Sequence, residues 1–363
     1  MGYTRSFVED DIPQVARLHR TVFKTGQRVA ALGLDSYHEY FKRVFLDNPS
    51  GDPSLPSLVY EDDEKRIVGF MGVVPRRIRM NGKRFQAAIS TQFVVDAETR
   101  AGLIAVRLSK AFLEGPQDLS ITDEATDIAR KIWEGLGGRT ALLHSLHWTR
   151  PVRPARLALA LLRQRAGLAP LALAGGSVAP LIDALATRLR HSQLRYSRPE
   201  GSATDTLTAR AVLTSQSAFV PSGSLHVEYD EQTLSWLLEC ARRRGGNGAI
   251  RAAVVRKDQR IMGYYVYHLD EAHVASVLHI GAQPDAASDV LDHLLYQASQ
   301  DGAIAATGRL EPRYLQILSD KYCVFHRRGP WLLLKARNAD ILRSFETGDA
   351  FFSRLDGEWC LGF

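Results

Sequence analysis

The chain has 363 residues, which is more than one ordinary hydrophobic core contains, and its length predicts two domains and a connector. Its 45% apolar and 24% charged residues are ordinary for a soluble globular protein. The formal net charge is +6, but residues 150–200 hold nine arginines against two acidic residues, so the remainder is close to neutral. This distribution argues against a protein that binds nucleic acid over its whole surface and leaves one basic segment to explain.

The three cysteines, Cys240, Cys323 and Cys360, are scattered and show no metal-binding spacing. An odd number of cysteines argues against a disulfide framework and favours thiols in a reducing cytoplasm. The first eleven residues contain no apolar core of a signal peptide, and no apolar stretch is long enough to span a membrane. We therefore expect a cytoplasmic protein without a metal site.

The first half of the chain predicts alternating strands and helices. A strand at 4–8 precedes a helix that carries Val15, Leu18 and Val22 on one face. Residues 24–56 suggest a helix followed by a loop, and Asn81-Gly82 is the strongest hairpin signal. The further predicted strands are 57–60, 66–74, 84–95 and 119–122, and the further predicted helix is 125–136. The predicted order is β-α-α-β-β-β-α-β-α-β.

A second pass of the same order follows near the other end of the chain. Residues 252–255, 260–267, 274–281 and 304–307 predict strands, and residues 285–299 predict a helix. The sequence Arg-Ile-Val-Gly-Phe at 66–70 is repeated as Arg-Ile-Met-Gly-Tyr at 260–264, in the same place of both passes. The repeat predicts two copies of one α/β domain.

Residues 149–205 lie between the two copies. They contain short apolar segments broken by prolines and glycines, together with the nine arginines. A connector that buries its leucines and solvates its arginines is one interpretation, and a basic amphipathic helix on an anionic membrane surface is another.

The most informative segment is a strand that runs through a short polar turn into a helix, at residues 89–105. Small residues in the first helical turn leave main-chain N–H groups uncovered, and the helix dipole adds partial positive charge. Such a helix start can hold a diphosphate.

This segment resembles the coenzyme A motif of the GCN5-related N-acetyltransferase (GNAT) superfamily. In that family a Val-x-Pro strand end leads into an Arg/Gln-x-x-Gly-x-Gly/Ala loop. Val95, Arg100 and Ala105 match, whereas Ala97 replaces the proline and Leu103 stands at the central glycine, with Gly102 one place early. We call residues 95–105 the coenzyme loop.

The following helix resembles a second pattern of the family, Asn-x-x-Ala-x-x-x-Tyr-Glu-x-Leu-Gly. Ala129, Glu134, Leu136 and Gly137 match it, but Thr126 replaces the asparagine and Trp133 replaces the tyrosine that often protonates the departing thiolate. The resemblance implies acetyl- or acyl-coenzyme A as co-substrate. The implied cofactor-binding residues are Phe93, Val94, Val95, Arg100, Ala101, Gly102, Leu103, Ile104, Ala105 and Trp133.

The predicted fold is therefore α/β, with two GNAT-like domains, each a mixed, mostly antiparallel sheet flanked by helices. The expected bounds are 1–148 for the first domain, 149–205 for a basic connector and 206–363 for a degenerate second copy. The equivalent loop of the second copy carries Asp285 and Asp289, which would repel a diphosphate.

Acyl transfer to an amine needs a group that accepts the amine proton. Asp123 and Glu124 end the fifth strand and are candidates, although Asp123 also suits a helix cap. Gln92 could position water. His144 and His147 would point to opposite faces of a strand, so they predict no metal pair, and either could serve as a base or be structural. Tyr322 occupies the tyrosine place of the second copy, where core packing is the favoured interpretation.

The leading functional prediction is a tandem GNAT N-acyltransferase acting on a small-molecule or peptide amine. One alternative is a non-catalytic GNAT-like binding protein. Another is a FemABX-like aminoacyl transferase, in which the arginine-rich segment contacts tRNA phosphates.

Overall fold

The computed structural model describes residues 2–23, 33–163, 178–188, 193–244, 248–258 and 260–362. The chain forms two compact units built from separated stretches. The first unit contains residues 1–145, 222–244 and 329–363, and the second contains residues 146–221 and 245–328. The consecutive division predicted from sequence differs from these units, because two segments of the expected second domain return to the first.

The first unit is a nine-stranded sheet flanked by helices. Its sheet has the strand order β1-β2-β3-β4-β5-β15-β6, with β9 also paired to β3 and β16 to β9. The strands are β1 (Tyr3–Ser6), β2 (Leu58–Glu61), β3 (Ile67–Met80), β4 (Lys83–Val95), β5 (Leu119–Ala125), β6 (Arg139–Thr140), β9 (Leu225–Val227), β15 (Trp331–Ala336) and β16 (Ala350–Phe351). The helices are α1 (Ile12–Val22), α2 (Leu34–Phe41), α3 (Ala101–Leu113), α4 (Asp127–Gly135), α8 (Glu231–Arg244) and α11 (Ala339–Thr347).

The order of elements over the first 140 residues is the predicted one. The hairpin is also confirmed: Met80 pairs with Lys83, and Asn81 (φ 51°) and Gly82 (φ 74°) form the turn. Two successive left-handed residues give the turn whose twist matches that of the flanking strands.

The second unit is a seven-stranded sheet with the order β14-β7-β13-β12-β11-β10-β8. Its strands are β7 (His147–Pro151), β8 (Ser202–Thr206), β10 (Ala249–Lys257), β11 (Arg260–Leu269), β12 (Val274–Ala282), β13 (Ala305–Arg309) and β14 (Val324–His326). Its helices are α5 (Pro154–Arg163), α6 (Ala179–Arg188), α7 (Ala209–Phe219), α9 (Ala287–Gln300) and α10 (Leu315–Asp320). Both sheets are mixed and mostly antiparallel, as predicted.

One glycine in each copy of the repeated pentapeptide allows a helix to pack closely on the sheet. A Cβ atom on Gly69 would lie 2.8 Å from a methyl carbon of Leu108 in α3. A Cβ atom on Gly263 would lie 2.7 Å from a methyl carbon of Val290 in α9. The repeat therefore preserves a packing requirement at the same point of both units.

The segment predicted as a connector is partly built into the second unit. β7 is an interior strand of the sheet, paired with both β13 and β14. Asp183 of α6 accepts hydrogen bonds from the main-chain N–H groups of Ala155 (2.8 Å) and Arg156 (3.2 Å) at the start of α5. Arg153 donates to the carbonyl oxygens of Ala303 and Ser299. The Arg153 side chain and the start of α5 are thus bonded within the second unit.

The apolar stretch at 166–176, which raised the possibility of a membrane-surface helix, lies outside the described residues. In the part of the chain that the structure describes, no helix has the length and apolarity needed to cross a bilayer.

Candidate active site

Strands β4 and β5 separate from each other and leave a wedge-shaped opening. They pair in parallel from Ala87 with Leu119 to Ile89 with Ile121. Both strands continue beyond this point, to Val95 and Ala125, without further pairing to each other among the described residues. We call residues 90–95 and 122–125 the wedge.

A β-bulge lies on the β4 side of the wedge. Phe70 of β3 opposes Val94, but Gly72 opposes Thr91, so Gln92 and Phe93 together face Met71 alone. Gln92 has φ 51°, in the left-handed region that an L-residue with a long side chain rarely adopts. A bulge turns main-chain groups out of the ladder, so the chain at 92–93 is available to something other than β3.

The Gln92 side chain is held by a histidine that the sequence analysis did not select. His19 of α1 is 2% exposed, and its Nε2 lies 2.6 Å from Gln92 Oε1. Its Nδ1 lies 3.4 Å from the Tyr37 hydroxyl. Burial lowers the pKa of His19, whereas the Gln92 contact acts in the opposite direction. Because Gln92 Oε1 can only accept, His19 Nε2 carries a proton and donates it to Gln92.

The coenzyme loop is only partly open to a ligand. Its main-chain N–H groups at Ala101, Leu103 and Ile104 donate to carbonyl oxygens of Thr99 or Arg100 at 2.8 to 3.1 Å. The N–H groups of Arg100 and Gly102 make no such bond within the described chain, and both residues are exposed. The Leu103 side chain is 45% exposed. We therefore find two donors at the helix start rather than the full set that the sequence suggested.

The other predicted cofactor residues divide between the wedge and the core. Phe93, Val94 and Val95 lie on β4 at the wedge, with Val94 buried. Trp133 is 2% exposed and packs against Phe112 with ring centres 5.9 Å apart. Trp133 is thus part of the hydrophobic core of the first unit rather than an exposed wall of the wedge.

Asp123 is fully buried at the β5 side of the wedge and faces a residue near the far end of the chain. Its Oδ1 accepts a hydrogen bond of 2.6 Å from the main-chain N–H of Glu358. Glu358 Oε1 in turn accepts from the N–H groups of Asp123 (2.8 Å) and Glu124 (3.1 Å) and from the Thr122 hydroxyl. Asp123 does not cap α4; Thr126 does, accepting from the N–H of Ala129 at 3.2 Å.

Glu124 is the more accessible acid of the predicted pair. Its carboxylate forms an ion pair of 3.1 Å with Arg354, and 29% of its side chain is exposed. The Arg354 guanidinium also lies 5.8 Å from the centre of the Trp359 ring. Asp123, Glu124 and Glu358 form one carboxylate cluster at the end of β5.

One carboxyl group of the cluster, that of Glu358, has a raised pKa. Burial and the neighbouring Asp123 charge raise the pKa of Glu358 to about 8, although the hydrogen bonds from the Thr122 hydroxyl and the Glu124 N–H oppose that shift in part. A carboxyl group with such a pKa can exchange a proton near neutral pH, which is the property required of an acid or base in a transfer reaction.

His144 is not part of the wedge. It lies in a short 3-10 helix at Leu143–Ser145, is fully buried, and places Nε2 3.0 Å from the Ala350 carbonyl oxygen. Its ring contacts Phe345 edge-on at 5.0 Å. His147 belongs to β7 of the second unit, so the single strand expected for both histidines is not formed.

The second unit has an equivalent opening that its own side chains occupy. β12 and β13 pair in parallel only from Val274 to Val277, and β12 carries a register shift opposite Val266 and Tyr267. The main-chain oxygen of Ile280 accepts hydrogen bonds from Arg313 (3.0 Å) and Tyr314 (3.1 Å). The position that β4 leaves open is therefore filled from within the unit.

Two further residues of the second copy were considered from sequence. Asp285 pairs with Arg260 at 3.4 Å. Tyr322 is 56% exposed, so its expected place in the core is wrong. Across the described residues of both units, no group of three or more histidine, cysteine or acidic side chains is arranged to hold a metal ion.

Sequence reasoning missed His19 and Glu358 for different reasons. His19 follows Val15 by one helical turn and so lies on the apolar face of α1, which is a usable signal. Glu358 reaches Asp123 across 235 positions, and no spacing rule connects them.

The first unit matches a known family. Residues 4–118 match the family model described as an acetyltransferase (GNAT) domain. This match covers the wedge strand β4, the coenzyme loop and α3. No curated protein sequence was found to match the chain.

Solved structures with the same fold include several acyltransferases. A GCN5-related N-acetyltransferase from Anabaena variabilis has 11% identity and a TM-score of 0.58, covering 93% of this chain and 73% of its own. A probable N-acyltransferase from Enterococcus faecalis has 10% identity and a TM-score of 0.61, covering 95% and 74%. Saccharomyces cerevisiae N-myristoyltransferase with bound myristoyl-CoA has 10% identity and a TM-score of 0.55, covering 92% and 79%.

At these identities the structural likeness shows the fold, whereas the sequence match identifies the N-terminal domain. Together with the wedge and the bulge beside it, they lead to one conclusion. Residues 4–118 of this chain match an acetyltransferase (GNAT) domain, and the chain has the two-sheet fold of the solved GCN5-related N-acetyltransferases.

Proposed function

We propose that the first unit transfers an acetyl or longer acyl group from a coenzyme A thioester to an amine. The observation that carries this proposal is the wedge, which opens beside a main-chain bulge and next to a helix start within the matched domain. A thioester needs a narrow slot for its pantetheine arm, a donor for its carbonyl oxygen and a seat for its diphosphate. The carbonyl donor, the diphosphate seat and one side of the slot lie along one continuous segment, residues 90–105, and residues 122–125 of β5 form the other side of the slot.

The coenzyme would be held by main-chain groups and a single arginine. The free N–H groups of Arg100 and Gly102, together with the exposed Arg100 side chain, would bind the diphosphate, since α3 has no acidic residue in its first turn. The pantetheine arm would run along Phe93, Val94 and Val95. Main-chain N–H groups at the bulge would stabilise negative charge on the thioester oxygen in the transition state.

The carboxylate cluster would handle the amine proton. In the reaction the amine nitrogen forms a bond to the acyl carbon, the carbon–sulfur bond breaks, and the amine loses a proton. Glu124 has a partly exposed carboxylate, whereas Asp123 is fully buried, so we assign Glu124 as the proton acceptor. Asp123 and Glu358 would position it through the hydrogen bonds at the end of β5. Trp133 has no acidic hydrogen for the leaving thiolate, which would take its proton from solvent or the cluster.

The acceptor would be a small-molecule or peptide amine, acted on in the cytoplasm. Coenzyme A use finds further support in N-myristoyltransferase, which was solved with myristoyl-CoA and shares the fold. Among the described residues we find no observation that specifically favours either alternative, the non-catalytic binding protein or the FemABX-like aminoacyl transferase. The tRNA hypothesis relied on arginines that in part pack within the second unit.

The decisive experiment separates binding from turnover. Isothermal titration of the whole chain with coenzyme A tests the loop, and release of free thiol from acetyl-CoA and longer acyl-CoAs, with a panel of polyamines, amino acids and peptides, tests transfer. We expect binding in the micromolar range, about −8 kcal/mol. Binding without amine-dependent thiol release would support a non-catalytic binding protein, and absence of binding would remove the proposal.

The proton acceptor is tested by Glu124→Gln, with Glu134→Gln as the matched control. Glu134 is a half-exposed glutamate that also pairs with an arginine, Arg130 at 2.8 Å, but it lies on α4. Loss of a general base costs roughly 100-fold or more in kcat. Glu124→Gln should show such a loss with unchanged coenzyme A affinity, whereas Glu134→Gln should retain activity. Equal activity in both variants would exclude Glu124 as the base.

A further inference from the structure

A polar cavity of about 420 Å³ lies in the second unit. Its walls come from β7, from the residues before β8, from α9 and from the end of α10. All of its lining residues belong to the second unit, so it is separate from the wedge of the first.

The most unusual lining residue is a buried arginine. Arg150 is 6% exposed, and its guanidinium donates to the main-chain oxygens of Tyr322 (3.4 Å) and Gln193. The rings of Tyr196 and Tyr322 flank it, with centres 5.7 and 5.8 Å from the guanidinium carbon. None of these partners carries a negative charge, and its buried Nε has no hydrogen-bond partner within the described chain.

A guanidinium in this position lacks a counter-ion. Removing a cation from water is costly unless an anion opposes it, and carbonyl oxygens and aromatic faces compensate only in part. Arg150 also presents a planar fork suited to a carboxylate. A ligand of this cavity should therefore carry a negative charge that can oppose Arg150.

The opposite wall of the cavity, on α9, indicates that the ligand also carries a positive charge. Lys321 and Asp292 neutralise each other at 2.7 Å, but Asp289, one helical turn earlier on α9, forms no ion pair with a described residue. The lining as a whole is balanced, with four basic side chains (Arg150, Arg195, Lys257 and Lys321) and four acidic ones (Glu200, Asp289, Asp292 and Asp320), which favours a ligand without large net charge over a polyanion such as a diphosphate. An unpaired cation and an unpaired carboxylate in one cavity call for a ligand with both charges.

We infer that this cavity binds a small zwitterion with the chemistry of a free amino acid, its carboxylate on Arg150 and its ammonium towards Asp289. The two tyrosine rings provide amphipathic walls for the remaining atoms of the ligand. This site does not depend on acyl transfer in the first unit.

The test begins with the unmodified chain. Binding of glycine, L-leucine and L-phenylalanine is measured by isothermal titration up to about 20 mM, a range that detects millimolar ligands. L-leucine is then compared with N-acetyl-L-leucine, which lacks the ammonium group, and with 3-methylbutylamine, which lacks the carboxylate. We expect each deletion to weaken binding by about tenfold. No binding of any of the three amino acids, or equal binding of L-leucine and its two analogues, would overturn the inference.

Variants locate the site. Arg150→Met should weaken L-leucine binding by about tenfold or more, and Asp289→Asn should do so less strongly. Arg195→Met is the control, since Arg195 also lines the cavity but is exposed. Equal loss in Arg150→Met and Arg195→Met would indicate non-specific attraction to positive charge and contradict the proposed site. If Arg150→Met does not fold, Asp289→Asn decides: unchanged binding would exclude the site.

Discussion

Glu358 and Asp123 exchange hydrogen bonds across 235 positions of the chain. The Glu358 main-chain N–H donates to Asp123 Oδ1 at 2.6 Å, and Glu358 Oε1 accepts from the Asp123 main-chain N–H at 2.8 Å. This reciprocal pair fixes residues near the end of the chain to the end of β5. It also brings two carboxyl groups together in a buried place, where both cannot be ionised without cost.

The pair predicts a stability that declines at alkaline pH. The folded pKa of Glu358, about 8, lies above its ordinary value of 4.5, so the contribution is complete below pH 4.5 and is lost as pH rises through 8. We expect the free energy of unfolding, measured in urea from pH 5 to about 9, to fall in the native chain and to fall less in Glu358→Gln. Glu134→Gln should keep the native slope. Equal slopes in the native chain and Glu358→Gln would contradict the assignment.

The coenzyme loop predicts a site-specific effect of two glycine substitutions. A Cβ atom added at Gly102 or at Gly135 would meet nothing within 4 Å beyond its own helix backbone and chain neighbours, so a side chain can begin at either position without a clash. Leucine also favours the helix over glycine by roughly 0.5–1 kcal/mol. We expect Gly102→Leu to weaken coenzyme A binding by about tenfold, because its side chain would cover the free N–H groups, and Gly135→Leu to leave it unchanged. Calorimetric titration of both variants provides the measurement.

At Gln92, which lies in the bulge, we predict that a substitution lowers activity and leaves the stability of the fold nearly unchanged. Gln92→Gly removes a left-handed φ that costs about 1 kcal/mol, and it loses a hydrogen bond to His19 worth about 1 kcal/mol. The melting temperature should therefore stay close to that of the native chain, while kcat falls by about tenfold or more. Asn81→Gly, which relieves a similar φ in the hairpin turn, is the control for the backbone effect. Full activity of Gln92→Gly would show that the His19 contact is purely structural.

For Trp133 we predict the opposite result: a substitution should lower stability and leave coenzyme A affinity unchanged. Because it packs within the core against Phe112, Trp133→Phe should cost about 1–3 kcal/mol of stability without changing coenzyme A affinity. Urea unfolding and calorimetry together check this outcome. A loss of affinity at unchanged stability would return Trp133 to the cofactor site.

The sequence predicted the elements of the first 140 residues and the repeat because these depend on local patterns. Asn81-Gly82 specifies its turn through backbone conformation, and the repeated glycines Gly69 and Gly263 reflect helix packing within each copy. The bounds of the units were missed because β15 enters the first sheet between β5 and β6, far from them in sequence. Such long-range pairing leaves no periodic signal.

The candidate site was predicted only where it lies on one segment. The strand end at Val95 and the helix start at Arg100 could be placed from spacing. Which N–H groups of the coenzyme loop form hydrogen bonds within the loop depends on the path of the turn, and spacing does not show that path. His144 and His147 would point to opposite faces only if one strand ran through both residues, but the chain forms a 3-10 helix at His144. The partner of Asp123 comes from a distant segment, which a single sequence cannot reveal.

The interleaved order of the two units has a consequence for synthesis on the ribosome. All segments of the second unit have been made once residue 328 emerges, whereas the first unit still awaits β15 and Glu358. The unit that begins first is completed last, so one edge of β5 stays unpaired until β15 has been made. A fragment cut after residue 148 would keep that exposed edge permanently and should aggregate rather than act as an isolated enzyme.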